Sequence, residues 1–547
     1  MNNRLYNIRY LFVLIFGLII FQEGCTSNNF QNIITISSTI KHNNPLVMVL
    51  EDRSDTISTG IEDQIGQAID YAKIPYVVHD SVWASDSLHI PSSVRVLCLT
   101  RSEIKSFTNK QFQKILSFVA SGNSLFLTHR VFDQRFNFLT GIKKNAIDSI
   151  SEKARGLHFK QMIFPGYRRN MEERVPNYHN AIYKNAFSES TQVIATSVDT
   201  TSTPIITKNS VGEGDVYMFN TATGNVPNKF YRSLLFTVVL ASLEDIPYPV
   251  VNASTIFIDD FPLPLFSKKE QPIKWEYNVS EGAFITKIWW PDMKALADTF
   301  NITYTSALAF NYNANVVPPF DFDEWDGSII RKNGRNMNGS IWLAHQMKNS
   351  RHELGFHGYN HISLWLNQWP NEKFMVSAVK AARERWHIDA LGNLPVTYVP
   401  PNDDIDSTGL VALKNGMPQL KYMCSLYIGH KKTGGDREFA PDPYVPGFFD
   451  YPRITSGYRL SKVQNFNFQG LYLLTGIWTH FVHPDDVFQL GLSRNRDSLG
   501  WRKSRNRDYG LYQVFKHRIR LIKKIYPMMR FLPAKKAVPK VEAWKRL

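Results

Sequence analysis

The sequence predicts an α/β protein built from two parallel-sheet units in series. Three observations carry this. Short apolar runs alternate with helical spacing across residues 45–128. The chain of 547 residues is longer than one core holds. A fresh apolar run opens at residue 254, directly after the proline-marked joint Ile246-Pro247-Tyr248-Pro249.

Residues 45–51 (PLVMVLE) read as a buried strand, 56–72 as a helix, 76–79 as a short strand and 94–100 (VRVLCLT) as another strand. Residues 108–120 put Phe112, Ile115, Leu116 and Val119 on one helical face, Gly122-Asn123 stops that helix, and 124–128 (SLFLT) is a strand. Residues 212–220 read as a late strand and 231–243 as a closing helix. Strands alternating with helices give a parallel sheet of flavodoxin-like or amidotransferase-like type over residues 45–249. Cys98 sits inside an apolar strand with no Gly-x-Cys-x-Gly elbow, and no Gly-rich phosphate loop follows the first strand. The region therefore reads as a non-catalytic accessory or binding domain.

Ahead of it, Arg4 and Arg9 precede an apolar run at residues 11–21 that is too short for a comfortable membrane span and ends at Gly24-Cys25. Residues 1–25 read as an export signal whose Cys25 resembles a bacterial lipoprotein cleavage site; the alternative is an uncleaved N-terminal anchor. Both readings place the rest of the chain at the cell envelope, lipid-anchored or membrane-anchored and facing the periplasm or cell surface. The three cysteines, Cys25, Cys98 and Cys424, fall in separate segments, so no disulfide framework is expected.

The charge is uneven. Of the net +15, the tail from 491 to 547 carries +14, with 17 Lys and Arg against 3 acids. Such a tail suits an anionic partner; no nucleic-acid motif is present. Leu511, Val514, Phe515, Ile519 and Ile522 share one helical face, and Lys516, Arg520, Lys523 and Lys524 another. That helix either lies on an anionic membrane surface or docks on the protein with its basic side in water. Residues 533–547 read as weakly ordered.

The chemistry lies in the second unit. A strand at 254–258 (STIFI) runs into Asp259-Asp260, two adjacent carboxylates that repel unless a cation or a proton is shared. His357 and His361 stand four apart in ELGFHGYNH, a spacing that grips a transition metal from one face if a helical turn follows the strand end. After a strand placed at 471–474 comes IWTHFVHPDD, with His480 read as a packed strand residue and His483 as a rim residue ahead of Pro484.

Together these motifs resemble the polysaccharide deacetylase superfamily, the chitooligosaccharide-deacetylase-like carbohydrate esterases. The family's Thr-Phe-Asp-Asp-Gly-Pro stands here as Phe257-Ile258-Asp259-Asp260-Phe261-Pro262, and its His-Ser/Thr-x-x-His as His357-Gly358-Tyr359-Asn360-His361. Its Arg-Pro-Pro-Tyr stands as Val399-Pro400-Pro401-Asn402, and its late histidine near His483-Pro484. The resemblance implies an incomplete (β/α) barrel over residues 254–490, with the site at the carboxyl ends of its strands. It assigns Asp260, His357 and His361 to one divalent transition metal, zinc by default, Asp259 to the general base and His483 to the general acid. Backbone near Asn402 is expected to face the oxyanion. Arg453 either replaces the arginine missing at Val399 or is a surface residue; His480 is a packed group or one that supports the site from behind.

The implied function is a metal-dependent deacetylase removing acetyl groups from an N-acetylated, less readily O-acetylated, envelope or exported polysaccharide. The alternative is a catalytically impaired polysaccharide-binding module of an exopolysaccharide assembly or export system, which Val399 and the large first domain favour. A glycoside hydrolase on the same barrel wants a second acid across the bond, and none stands out.

Overall fold

The computed structural model describes residues 44–80, 88–101, 107–131, 133–144, 151–161, 163, 178–222, 228–244, 246–489, 499–504 and 508–547. The export signal with Cys25 lies outside the described residues. No helix among the described residues is long and apolar enough to cross a membrane.

The first sheet has eight strands. In chain order these are β1 (Val47–Leu50), β2 (Tyr76–His79), β3 (Val96–Leu99), β4 (Ser124–Leu127), β5 (His158–Phe159), β6 (Gln192–Thr196), β7 (Pro204–Val211) and β8 (Gly214–Phe219). Their spatial order is β2-β1-β3-β4-β8-β7-β6-β5. Pairing is parallel from β2 to β8 and antiparallel beyond it. The doubly wound half is the alternation seen in the sequence. The antiparallel half is not visible there, because the run of β7 into β8 is a tight hairpin whose strands lack a two-residue apolar alternation.

Helix α1 (Thr56–Ala72) starts at Asp55, which accepts from Ile57 N, and stops at Lys73 in the left-handed region. Helix α2 (Asn109–Ala120) opens on a capping box between Thr108 and Gln111 and buries Ile115 and Val119. Helix α3 (Lys229–Leu243) closes the unit and is buried along most of its length.

A second parallel sheet follows: β9 (Thr255–Ile258), β10 (Tyr304–Asn311), β11 (Glu353–Asn360), β12 (Thr397–Tyr398), β13 (Tyr422–Met423), β14 (Phe449–Asp450), β15 (Thr455–Ser456) and β16 (Thr479–Val482). These eight run parallel in the order β14-β13-β12-β11-β10-β9-β16-β15, and a ninth strand, Ala440–Pro441, pairs antiparallel with β14 at the edge. β14 and β15 belong to one bent segment that bridges the seam. On one side Arg453 N donates to Ser425 O at 2.7 Å and Tyr427 N to Arg453 O at 2.9 Å. On the other, Ile454 N donates to Thr479 O at 3.0 Å and Gly457 N to Phe481 O at 2.8 Å. The result is a barrel of seven strand positions, one short of the full (β/α)₈ form.

Two sequence expectations fail here. Residues 471–474 are not a strand: they end helix α8 (Lys462–Thr475), counted after α4 (Trp290–Phe300), α5 (Gly339–Lys348), α6 (Glu372–Ile388) and α7 (Ser407–Gly416). A capping box at Ser461 and Gln464 opens α8, and left-handed Gly476 closes it. A short apolar run does not separate strand from helix without those punctuation marks. Residues 533–547 are not weakly ordered: Ala534–Lys545 forms a helix, numbered α10 after α9 (Leu511–Ile525). Ala534, Ala537, Val538, Val541 and Trp544 make its buried stripe, and Pro539 falls on the exposed side.

The apolar face of α9 is already covered. Leu511, Phe515, Ile519 and Ile522 pack in one core with Trp289, Trp290, Trp478 and Trp501. Helix α10 runs across the amino end of the barrel, where Ala534 N donates to Thr305 Oγ1 at 2.8 Å and Lys535 N to buried Glu353 at 2.9 Å. The two sheets share a core. Ile69 and Phe230 of the first unit lie in the same apolar cluster as Phe257, Val399 and Tyr451 of the barrel and Trp544 of α10. Around it, Tyr71 donates to Glu438 at 2.7 Å, Arg232 pairs with Glu438 at 2.8 Å and Lys229 with Asp436 at 2.7 Å.

Candidate active site

The run Thr-Ile-Phe-Ile is β-branched and aromatic and is buried end to end as β9, in the centre of the barrel sheet. Where it gives out, Asp259 N still pairs with Val482 O at 3.0 Å, while Phe261 N has crossed to Ala307 O at 3.0 Å. Asp260, between them, takes φ 51°, a conformation costly for a residue with a Cβ. The turn aims both carboxylates into the barrel mouth, where Asp259 and Asp260 are 2% and 5% exposed.

His357 reaches the same mouth by a bulge, not by a helical turn. Leu308 pairs with Phe356 and Ala309 with Gly358, so His357 is the extra, unopposed residue of β11. Gly358 has φ 149°, and a Cβ there would meet Asn360 O at 2.6 Å, so the bulge requires glycine. His361 follows the strand end, held by its own N–H to Asn311 O at 3.2 Å. The i, i+4 spacing converges as expected, but through a strand and its bulge.

Asp260, His357 and His361 present ligand atoms that lie within 4.8 Å of one another. His357 Nδ1 is 2.7 Å from Val399 O, an atom that only accepts, so Nδ1 carries the proton and Nε2 a bare lone pair. That lone pair faces Asp260 Oδ1 at 3.3 Å, and both atoms are buried with no hydrogen-bond partner. His361 Nε2 is 3.7 Å from the same oxygen. Burial lowers the His361 pKa, against the pull of Asp260, so that ring favours its neutral, ligating form. Three acceptor atoms facing one another repel unless a cation lies among them, so the donor set fits a divalent transition metal.

Asp259 is held from the other side. Arg453, 2% exposed, touches Asp259 Oδ2 through Nη1 and Asp403 through Nη2, and lies over the Phe481 ring at 4.0 Å. It is thus not a surface residue. Asp259 Oδ1 is buried without a hydrogen-bond partner. His483 Nε2 is 3.8 Å from Asp259 Oδ2, and its Nδ1 is 3.2 Å from Asp486 Oδ1. Burial alone would lower the His483 pKa. The hydrogen bond and charge of Asp486, with the charges of Asp259 and Asp260, outweigh it and push the ring up to about 10.

His480 does not face the mouth. It is 1% exposed, bonds Thr455 Oγ1 at 2.9 Å and stacks on Phe515, and burial pushes it down to about 3. Asn402 sits in the turn Pro401–Asp403 with φ 54°, and its side-chain amide donates to Ser363 at 3.3 Å. The next residue, Asp403, is the one that meets Arg453. Sequence reasoning missed Asp403 and Asp486, although each belongs to an Asp-Asp pair close behind a motif proline. It also missed Tyr312, whose ring stacks on His361 at 5.5 Å and carries Phe266 on its edge at 6.4 Å.

Residues 62–545 match the family described as "Uncharacterised protein conserved in bacteria (DUF2194)", and the chain belongs to that family. No curated protein matches the sequence. Among solved structures the chain is similar to Agd3, described as a novel carbohydrate deacetylase, at 11% identity over 91% of this chain and 87% of that one, with a TM-score of 0.49. It is also similar to a beta-galactosidase from Bacillus circulans sp. alkalophilus, at 15% identity over 37% of this chain and 30% of that one, with a TM-score of 0.25.

Proposed function

We propose that this DUF2194 member is a metal-dependent deacetylase acting on an N-acetylated, less readily O-acetylated, envelope or exported polysaccharide. The observation that carries the reading is the pair of buried lone pairs on His357 Nε2 and Asp260 Oδ1, 3.3 Å apart with nothing to bind. A divalent metal there, zinc by its preference for imidazole and carboxylate, would supply Lewis acidity, acidifying water and polarising the acetyl carbonyl.

The remaining roles belong to the chain's own groups. Arg453 fixes one oxygen of Asp259 and leaves the other, Oδ1, free to take the proton of the attacking water. Asp403 holds the second arm of Arg453, which keeps the guanidinium in its plane. Asp486 favours the charged form of His483, which can then protonate the departing sugar nitrogen. Asp259 and His483 approach to 3.8 Å beside the ligand set, and Tyr312 walls His361, so an acetyl group there would lie within reach of both base and acid. The binding-module reading leans on Val399; the contact of Arg453 with Asp259 weakens that ground. The envelope location is part of the proposal and rests on the sequence of residues 1–25 alone.

The test is metal analysis of the purified protein with acetate release from several acetylated polymers, for the native chain and for Asp259→Asn. The expected result is metal in both and turnover lower in the variant by about 10²–10⁴-fold. Undiminished acetate release by Asp259→Asn overturns the base, and a metal-free, fully active protein overturns the reading.

A further inference from the structure

We infer that the cleft between the first sheet unit and the barrel is a second carbohydrate subsite, taking an uncharged stretch of the polymer whose acetyl group is at the metal. The inference rests on the deacetylase reading for the identity of the polymer. The cleft has a volume of about 1100 Å³, just above the usual range of small-molecule sites (roughly 300–1,000 Å³), and is walled by α1, the start of α3, α8 and the bent seam segment that carries Arg453.

Where two units of one chain share a core, the interface is ordinarily close-packed. Helix α1 keeps to that only in part. Gln64, Gln67 and Tyr71 lie on one stripe of α1. Tyr71 is fully buried in the shared core against Phe439 and Trp544. One and two turns earlier the same stripe is amide, and Gln64 and Gln67 line open space. Gln64 accepts from Arg232 Nε at 3.0 Å across the interface, but Gln67 reaches Asp70 of its own helix at 3.5 Å, a poor use of an amide on a face meant only to pack.

The wall's chemistry narrows the occupant. Its charges are largely cancelled: Lys229 pairs with Asp436 at 2.7 Å and Glu438 at 3.1 Å, Arg232 with Glu438 at 2.8 Å, and Arg453 with Asp403. Asp63 and Lys431 add one charge of each sign, so the lining balances at four acids and four bases and has no net charge to offer a ligand. Gln67 on α1 and Asn467 on α8 each offer both a donor and an acceptor, while Gln464 is already bonded to Ser461 N at 3.1 Å and Ser456 Oγ at 3.1 Å. Such groups match sugar hydroxyls, which also donate and accept, and discriminate little for a charged polymer.

The cleft is joined to the chemistry by two side chains. Arg453 lines it and touches Asp259. Phe481 lines it, carries Arg453 on its face at 4.0 Å and turns its edge to His483 at 5.6 Å. A sugar in the cleft is therefore one side chain away from both the base and the acid.

The test uses the full-length protein carrying Asp259→Asn, with a neutral hexamer of an N-acetylhexosamine as probe and binding followed by calorimetry. Adding Gln67→Ala or Asn467→Ala is expected to weaken the hexamer by about fivefold to tenfold, with metal content and melting temperature unchanged. Hexamer affinity untouched by both changes overturns the subsite, as does a uronic-acid hexamer that binds more tightly. The two readings fail separately. Acetate release by the native chain with hexamer affinity indifferent to Gln67 and Asn467 removes the subsite alone. Affinity that depends on both, in a protein that releases no acetate from any polymer, removes the deacetylase alone.

Discussion

Both sheets of this molecule present the carboxyl ends of parallel strands, and the two ends are treated in opposite ways. At the end of β1, Asp52 accepts from Ser54 Oγ at 2.6 Å and pairs with Arg101 at 2.9 Å, while Ser58 and Thr100 share a hydrogen bond at 2.6 Å. The polar groups there answer one another. At the end of β9 and β11, Asp259 Oδ1, Asp260 Oδ1 and His357 Nε2 are buried and answered by nothing. Buried polar atoms are nearly always partnered, and three unmet ones converging on one space suit a bound cation. The contrast is between strand ends: closed at the end of β1, open at the ends of β9 and β11, where the three unmet atoms face one space.

The comparison can be broken most sharply by deleting a member of each set. His357→Ala should abolish both metal binding and acetate release. Arg101→Gln, at the carboxyl end of the first sheet, should leave both unchanged. Elemental analysis and acetate assay on the two variants decide it; equal losses in both would mean that the first sheet also holds catalytic groups.

A second, smaller effect concerns the group that half-finishes the site. Arg453→Gln leaves Asp259 and Asp403 facing each other without their cation, which should lower stability by about 3–5 kcal/mol, as breaking a buried pair does. Turnover should fall by about 10–100-fold with metal retained, as for groups that orient others. Urea melts and acetate assays at matched folded concentration measure the two losses. Unaltered turnover would return Arg453 to a purely structural role.

A third effect is a displacement along the pH axis. His483 is raised from 6.5 to about 10, so its protonated form, the acid of the proposed reaction, persists below that value. Activity should hold through neutral pH and fall as pH rises toward 10. The same raised pKa means that its contribution to stability is complete below about 6.5 and is lost as pH climbs through 10. Asp486→Asn removes the strongest partner and should move the alkaline limb of the rate profile to lower pH. A limb that stays in place points to another acid.

The smallest effect expected is none. Cys98 is fully buried in β3, where burial raises its thiol, and Cys98→Ser should change neither metal content nor acetate release. Loss of activity in that variant would put chemistry in the first unit.

How far the sequence reaches follows the same division. The strand-to-Asp-Asp junction was legible because an apolar run that ends in two like charges is costly unless something binds between them. The histidine pair was legible as spacing, though the bulge at Gly358 that makes it converge was not, since a glycine beside a histidine carries no sign of its φ. Arg453 lies 54 residues beyond Val399 in the chain and meets Asp259 only because the seam segment bends between two strands. A contact made by closure of a ring leaves no local trace. Helix α10 was missed because its stripe of alanine and valine is small and its surface is lysine and proline. Its helical period was there to be read.

The chain enters and leaves the described fold at one place. Leu46 N bonds Pro75 O at 2.8 Å, next to Lys73, whose ammonium donates to Lys545 O at 3.1 Å at the far end of α10. Helix α10 itself begins against Thr305 and Glu353, at the starts of β10 and β11, the latter the strand that ends at His361. A resin, a bead or a fused reporter attached after α10 would therefore sit behind the barrel, and the same immobilised protein would still offer its open mouth to a long polymer in solution.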